Sequence, residues 1–218
     1  MSGDEDRSLI SMNRADYVAA ASRSVLGIVP FAGSLLVEIA DAVIPGQRMD
    51  RIAKFALELE QRIAGLEDRA PSDLRSDEEF TDLVEESLRQ AARSLSDARR
   101  AQLAELVASS LGGDDITHAE SKHFMRILGE LNDIEVIRLG WHQYEVSGTG
   151  GQYYATHRSL LEEPAPTTGY PQQAIDKQTV FESYDAHLVQ LGLYDGHRLT
   201  NLGRLFCLHI GILDAESA

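Results

Sequence analysis

The stretch Leu191-Gly192-Leu193-Tyr194-Asp195-Gly196-His197-Arg198-Leu199-Thr200 decides how the C-terminal part of the chain is read. Asp195-Gly196 is a favoured tight-turn dipeptide, and Leu193-Tyr194 and Arg198-Leu199 flank it as two short strands. Thr200 then offers a cap oxygen to a last helix carrying Leu202, Leu205, Phe206, His209 and Ile210. Upstream, Asp176 is placed to cap a helix carrying Val180, Phe181, Tyr184, Leu188 and Leu191. Helix, tight hairpin, helix is a winged-helix-like order, spanning 177–213 and expected to pack with helices at 118–131 and 133–145.

Upstream, residues 146–176 break the helical rhythm. Ser147-Gly148-Thr149-Gly150-Gly151 reads as a turn, and Pro164, Pro166, Gly169 and Pro171 make most of the rest a poor helix. Tyr153–Leu161 has room for a helical turn or two. This segment is read as a linker or insertion. Before it, 76–145 reads as a helical bundle. Ser76 and Glu79 form a capping box ahead of Phe80, Leu83, Val84, Leu88 and Ala91. Ser96-Asp97 opens a helix with Leu103, Leu106, Val107 and Leu111 inward. Thr117 and Glu120, then Asn132 and Glu135, repeat the capping device.

The first 69 residues are read as a polar, disordered tail over 1–12, then a helical hairpin and a long amphipathic helix over 13–69. Pro45-Gly46 reads as a break before that helix, which is expected from Gln47 to about Asp68. Ile52, Phe55, Leu59, Ile63 and Leu66 fall on one of its faces. The fold class expected is therefore mainly α: an N-terminal helical hairpin and helical bundle, followed by a C-terminal winged-helix-like module with one short β-hairpin.

The net charge is −15 over 218 residues, which favours solubility and opposes non-specific attraction to nucleic acid or anionic lipid. A single cysteine, Cys207, lies between Phe206 and Leu208 and suits a reducing, cytoplasmic setting and a place in the core. Ser24–Val37 carries no charge, but a spanning helix needs about 20 apolar residues. A buried hairpin over 15–44 is the preferred reading, and a membrane-active effector is an alternative.

No sequence motif supports catalysis. There is no phosphate loop or nucleophile elbow. His118 and His123 are five positions apart, and Cys207 and His209 point to different sides of a helix, so neither pair has zinc-ligand spacing. No catalytic, metal-binding or cofactor-binding residue is assigned, and no cofactor or small-molecule substrate is implied. The candidate contacts for nucleic acid or a partner are Lys177, His197, Arg198 and Arg204. The helix expected to dock on DNA carries Lys177 against Glu182 and Asp185, too few cations for phosphate contact.

Three passages resemble the bacterial Abi-alpha family. They are Leu103-Ala104-Glu105-Leu106-Val107-Ala108-Ser109-Ser110, the run His118…His123-Phe124-Met125-Arg126-Ile127-Leu128-Gly129-Glu130-Leu131-Asn132-Asp133-Ile134-Glu135, and Leu199, Thr200, Leu202, Gly203, Arg204 and Leu205. Together they cover about half the chain. The resemblance implies a link to abortive infection, a bacterial response to phage, and carries over no catalytic residues. The function expected is a non-enzymatic interaction protein with a protein partner or self-association. A DNA-binding regulator using the C-terminal module is the other alternative.

Overall fold

The computed structural model describes residues 45–63, 78–111, 117–147, 150–162 and 172–213. The tail over 1–12, the 15–44 hairpin with its uncharged stretch, Ser76, Leu66 and the prolines of 163–171 lie outside the described residues. Among those described, the protein is mainly helical, with eight helices and no strand. They are α1 (Pro45–Ile63), α2 (Glu78–Arg93), α3 (Asp97–Ser109), α4 (His118–Glu130), α5 (Asp133–Ser147), α6 (Gly151–Leu161), α7 (Gln172–Gln190) and α8 (Asn201–His209). The chain divides into two compact units, Met1–Arg126 and Ile127–Ala218, with α4 running across the division.

In the first unit, α1, α2 and α3 pack against one another. Helical spacing puts Ile52, Phe55 and Leu59 of α1, and Phe80, Leu83, Val84 and Leu88 of α2, into the core. Helix α3 buries Leu103, Ala104, Leu106 and Val107 between them. Each fully buried Leu or Phe contributes about 1.5–3 kcal/mol. Polar pins fix the register: Arg62 Nε donates to Glu105 Oε2 at 2.8 Å, and Arg51 Nη1 to the Ala92 carbonyl at 3.2 Å. Helix α1 begins at Pro45 rather than after a break at Pro45-Gly46. Proline is tolerated in a first helical turn because its missing N–H would have no intrahelical partner there.

Three N-terminal caps form as the residue spacing predicts. The Ser96 hydroxyl accepts from the Arg99 N–H at 3.2 Å. The Thr117 N–H donates to Glu120 Oε2 at 2.7 Å while the Glu120 N–H donates to Thr117 Oγ1 at 3.2 Å. Asn132 and Glu135 exchange the same pair of bonds at 2.7 and 2.9 Å.

In the second unit, α5 packs against α6, α7 and α8. Two aromatic contacts join α5 to α6: Trp141 with Tyr154, centroids 5.1 Å apart, and Tyr144 with Tyr153 at 5.0 Å. Tyr153 Oη donates to the Ile137 carbonyl at 3.0 Å. It passes so close to α5 that a Cβ at Gly140 would lie 2.5 Å from that oxygen. Burial pushes the Tyr153 phenol far above its ordinary range. Tyr153–Leu161 lies within α6, which is kinked at His157.

Helix α7 starts at Gln172, four residues before the expected Asp176 cap. Gln172, Gln173 and Ala174 are compatible with helix, and Gln172 Nε2 donates to Asp176 Oδ1 at 2.8 Å across one turn. Phe181 and Leu188 are buried as expected, but Val180 is 46% exposed, because it lies on the solvent side of the helix.

The expected β-hairpin is reduced to one antiparallel bridge, Tyr194 to Leu199. The turn is centred one residue later than expected, on Gly196-His197. The Asp195 N–H donates to the Arg198 carbonyl at 3.1 Å. The Asp195 carboxylate accepts the N–H groups of both His197 and Arg198 at 2.9 Å, taking the place of its own carbonyl. Those backbone bonds pull the Asp195 carboxyl below its usual range. Gly196, at φ +95°, accepts the left-handed conformation. The arms cannot lengthen, because Thr200 already caps α8: its Oγ1 accepts the Gly203 N–H at 2.9 Å and donates to the Gly192 carbonyl at 2.6 Å. Gly203 sits against the chain so closely that a Cβ there would lie 2.0 Å from the Leu193 carbonyl oxygen.

Candidate functional site

The strongest cluster of ionisable side chains joins α5 to α7. Glu135, Arg138 and His142 occur at i, i+3 and i+7 of α5, so they share one helix face. All three are buried. Opposite them, α7 supplies Phe181, Asp185 and His187, and Tyr194 follows in the turn.

Arg138 grips Asp185 with two parallel bonds, Nε to Oδ1 at 2.8 Å and Nη2 to Oδ2 at 2.6 Å. This fork geometry is the strongest form of an arginine–carboxylate pair. The guanidinium also lies 4.9 Å from the Phe181 ring centre. His142 Nε2 sits 3.3 Å from the same Asp185 Oδ1, and its ring stacks on Tyr194, 4.0 Å between centroids and 11° from parallel. Partial burial pushes the Asp185 carboxyl up. The hydrogen bonds from His142 and Arg138 outweigh that effect and hold it at about 2. Asp185 is therefore a fixed anion at neutral pH.

Glu135 stands apart from that trio. Its side chain is only 6% exposed, and its Oε1 lies 2.8 Å from His187 Nδ1. Its other oxygen accepts the Asn132 cap bond, so one carboxylate both starts α5 and ties it to α7. An ionised carboxylate only accepts hydrogen bonds, so the proton lies on Nδ1 of His187 and on Nε2 of His142. The two rings thus donate through opposite nitrogens.

The sequence-derived contacts do not join this cluster as one surface. Lys177 is exposed; its Nζ reaches the Glu162 carbonyl at 3.5 Å and lies 5.3 Å from the Phe181 ring centre. His197 and Arg198 are exposed in the turn, Arg198 Nε being 3.5 Å from Asp195 Oδ2. Arg204 is exposed on α8. Lys177 is about 20 Å along α7 from the turn, at 1.5 Å per residue. The three turn and α8 residues are neighbours in sequence; Lys177 is not near them.

Sequence reasoning missed Glu135, Arg138, His142, Asp185 and His187 as a group. The signal available was the i, i+3, i+7 run of polar residues beside Val136 and Leu139, on a face with apolar neighbours. Cys207 is fully buried, and burial pushes its thiol far above the ordinary range, so it is no nucleophile in the folded protein. Among the described residues, no group of three or more His, Cys, Asp or Glu is placed to hold a metal ion. In the first unit, a groove of about 460 Å³ is lined in part by Lys54, Leu57, Glu58, Asp97 and Arg100. Its cations are already engaged, since both Lys54 and Arg100 pair with Asp97.

No family model, curated protein or solved structure matches the chain.

Proposed function

We propose that the protein is a non-enzymatic interaction protein that contributes to phage defence of the abortive-infection kind and works through contacts made by the outer side of α7. The observation that carries this reading is where the exposed apolar side chains fall. Among the described residues, the large apolar side chains that stand out into solvent are Leu95, Ile175, Val180 and Val189, and three of the four belong to α7. Ile175 and Val189 are within about 40° of each other around the helix, with exposed Ala186 beside Ile175, whereas Val180 lies on the opposite side from Val189. Scattered exposed apolar residues are ordinary; Ile175, Ala186 and Val189 share one side of α7 and form the candidate contact surface. The inner side of the same helix is committed to Arg138, His142 and Glu135, which leaves the outer side for a partner.

The abortive-infection context rests on the motifs at 103–110, 118–135 and 199–205. The DNA-binding alternative, with its winged-helix reading of the C-terminal part, has less support, because Lys177 is distant from His197, Arg198 and Arg204. The membrane alternative depends on residues 15–44, which are outside the described residues. No described helix is long and apolar enough to cross a membrane.

A photo-activated cross-linker placed at Ile175 or Val189 in the native host tests the surface. Discrete adducts at both positions, absent when the linker sits at the exposed polar position Gln152, are the expected result. Equal labelling at all three positions would remove the surface from the account. Deleting the gene and challenging with a broad phage panel tests the context: plaque counts should rise for some phages, and unchanged counts throughout would remove it.

A further inference from the structure

We propose that His187 is a modification site whose Nε2 accepts a phosphoryl group, activated by the buried Glu135 carboxylate behind it. The inference goes beyond the interaction reading and does not depend on it.

Three observations support it. First, the Glu135–His187 bond at 2.8 Å engages Nδ1 as the donor, which leaves Nε2 as the nitrogen that carries the lone pair whenever the ring is neutral. Second, His187 is 31% exposed while Glu135 is 6% exposed, so the ring is anchored from the inside and open on the outside. Third, Glu135 is itself fixed by the Asn132 capping bonds, which hold the carboxylate in place behind the ring. His142 lacks this arrangement, since it is buried and its Nε2 faces Asp185.

The chemistry follows from the tautomer. The Nε2 lone pair attacks phosphorus in a donor that carries a good leaving group, such as a phosphoramidate or an aspartyl phosphate. The Nε2–P bond forms as the bond from phosphorus to the donor breaks, and the leaving group departs with its electron pair. Attack makes the ring an imidazolium with its proton still on Nδ1. Glu135 stabilises that positive charge in place, as the carboxylate of a catalytic triad does for its histidine. An acyl group on the same nitrogen would hydrolyse quickly in water, whereas a phosphoryl group persists at neutral and alkaline pH. Among the described side chains of α5 and α7, only this pair combines a fixed carboxylate, a donating Nδ1 and an exposed ring.

The test is incubation of the full chain with potassium phosphoramidate, with each histidine followed by mass spectrometry and phosphorus NMR. His197 is the internal reference, being exposed with no carboxylate on its ring in the described contacts. His187 should be phosphorylated about tenfold faster than His197, and Glu135→Gln should bring it down to the reference rate. Glutamine still serves a capping box, but accepting the Asn132 N–H turns its amide NH2 toward Nδ1 and moves the ring proton to Nε2. A rate at His187 no greater than at His197, or one unchanged by Glu135→Gln, overturns the proposal. The comparison of the two histidines within the unaltered protein holds even if the variant does not fold.

Discussion

Arg138 and Asp185 lie 47 positions apart in the chain and meet as a two-bonded pair, at 2.8 and 2.6 Å, that ties α5 to α7. The guanidinium is 5% exposed and the carboxylate 30%, so the cation has few alternatives if its partner is lost. Asp185→Asn should therefore lower the stability of the second unit by about 1–3 kcal/mol, mainly by stranding Arg138. Urea unfolding followed by circular dichroism checks this.

Acid should act through the same carboxylate. Its folded value of about 2 lies below the ordinary 3.8, so its contribution is complete above the unfolded value and is lost as pH falls through the folded one. Allowing for partial exposure, this contribution is on the order of 1–2 kcal/mol. Unfolding midpoints measured between pH 5 and pH 2 should fall across that window. In Asp185→Asn the slope should be shallower.

Gly203 is required by close approach rather than by backbone conformation. A Cβ there would lie 2.0 Å from a backbone oxygen, which cannot swing aside as a side chain can. Gly203→Ala should cost roughly 3 kcal/mol or more. Gly140→Ala should cost less, since the tight contacts are with side chains, the Tyr153 hydroxyl and Ile212 Cγ2, and its main effect would be loss of the bond to the Ile137 carbonyl. Thermal melts of the two variants give the order directly.

Thr200 closes the turn at both ends, accepting from Gly203 and donating to Gly192. Thr200→Val keeps the shape and removes both bonds, for an expected loss of about 2 kcal/mol. Thr200→Ser should recover most of it.

Substitutions on the outer side of α7 should behave differently from all of these. Ile175→Ser and Val189→Ser should change stability by no more than about 0.5 kcal/mol, because both positions are nearly half exposed. Their effect should appear in cross-linking and in plaque counts. A large loss of stability in either variant would place the residue in the core instead.

The parts of the fold that could be read from the sequence are those governed by neighbours. The Asn132–Glu135 and Thr117–Glu120 boxes, the Ser96 cap and the stripes of α1 and α2 depend on residues within one or two turns of each other. The Asp195 turn was legible in kind but not in register, because the competing acceptor was the Asp195 side chain. The start of α7 was misplaced because Asp176 has a cap's chemistry yet lies inside a helix begun by Gln172. The α5–α7 cluster was hidden for a different reason. Arg138 finds Asp185, and Glu135 finds His187 52 positions away, only after both helices are packed. Polar side chains on a helix usually read as a solvated face, and here Glu135, Arg138 and His142 face inward.

The central structural claim is that Arg138 and Asp185 act as one unit holding α5 to α7. A double-mutant cycle on the unfolding free energy, using Arg138→Met, Asp185→Asn and the double variant, measures it most directly. A coupling of about 1–3 kcal/mol, with the double variant more stable than additivity of the single losses allows, is the predicted result. Strict additivity, with no coupling above about 0.5 kcal/mol, would contradict the claim.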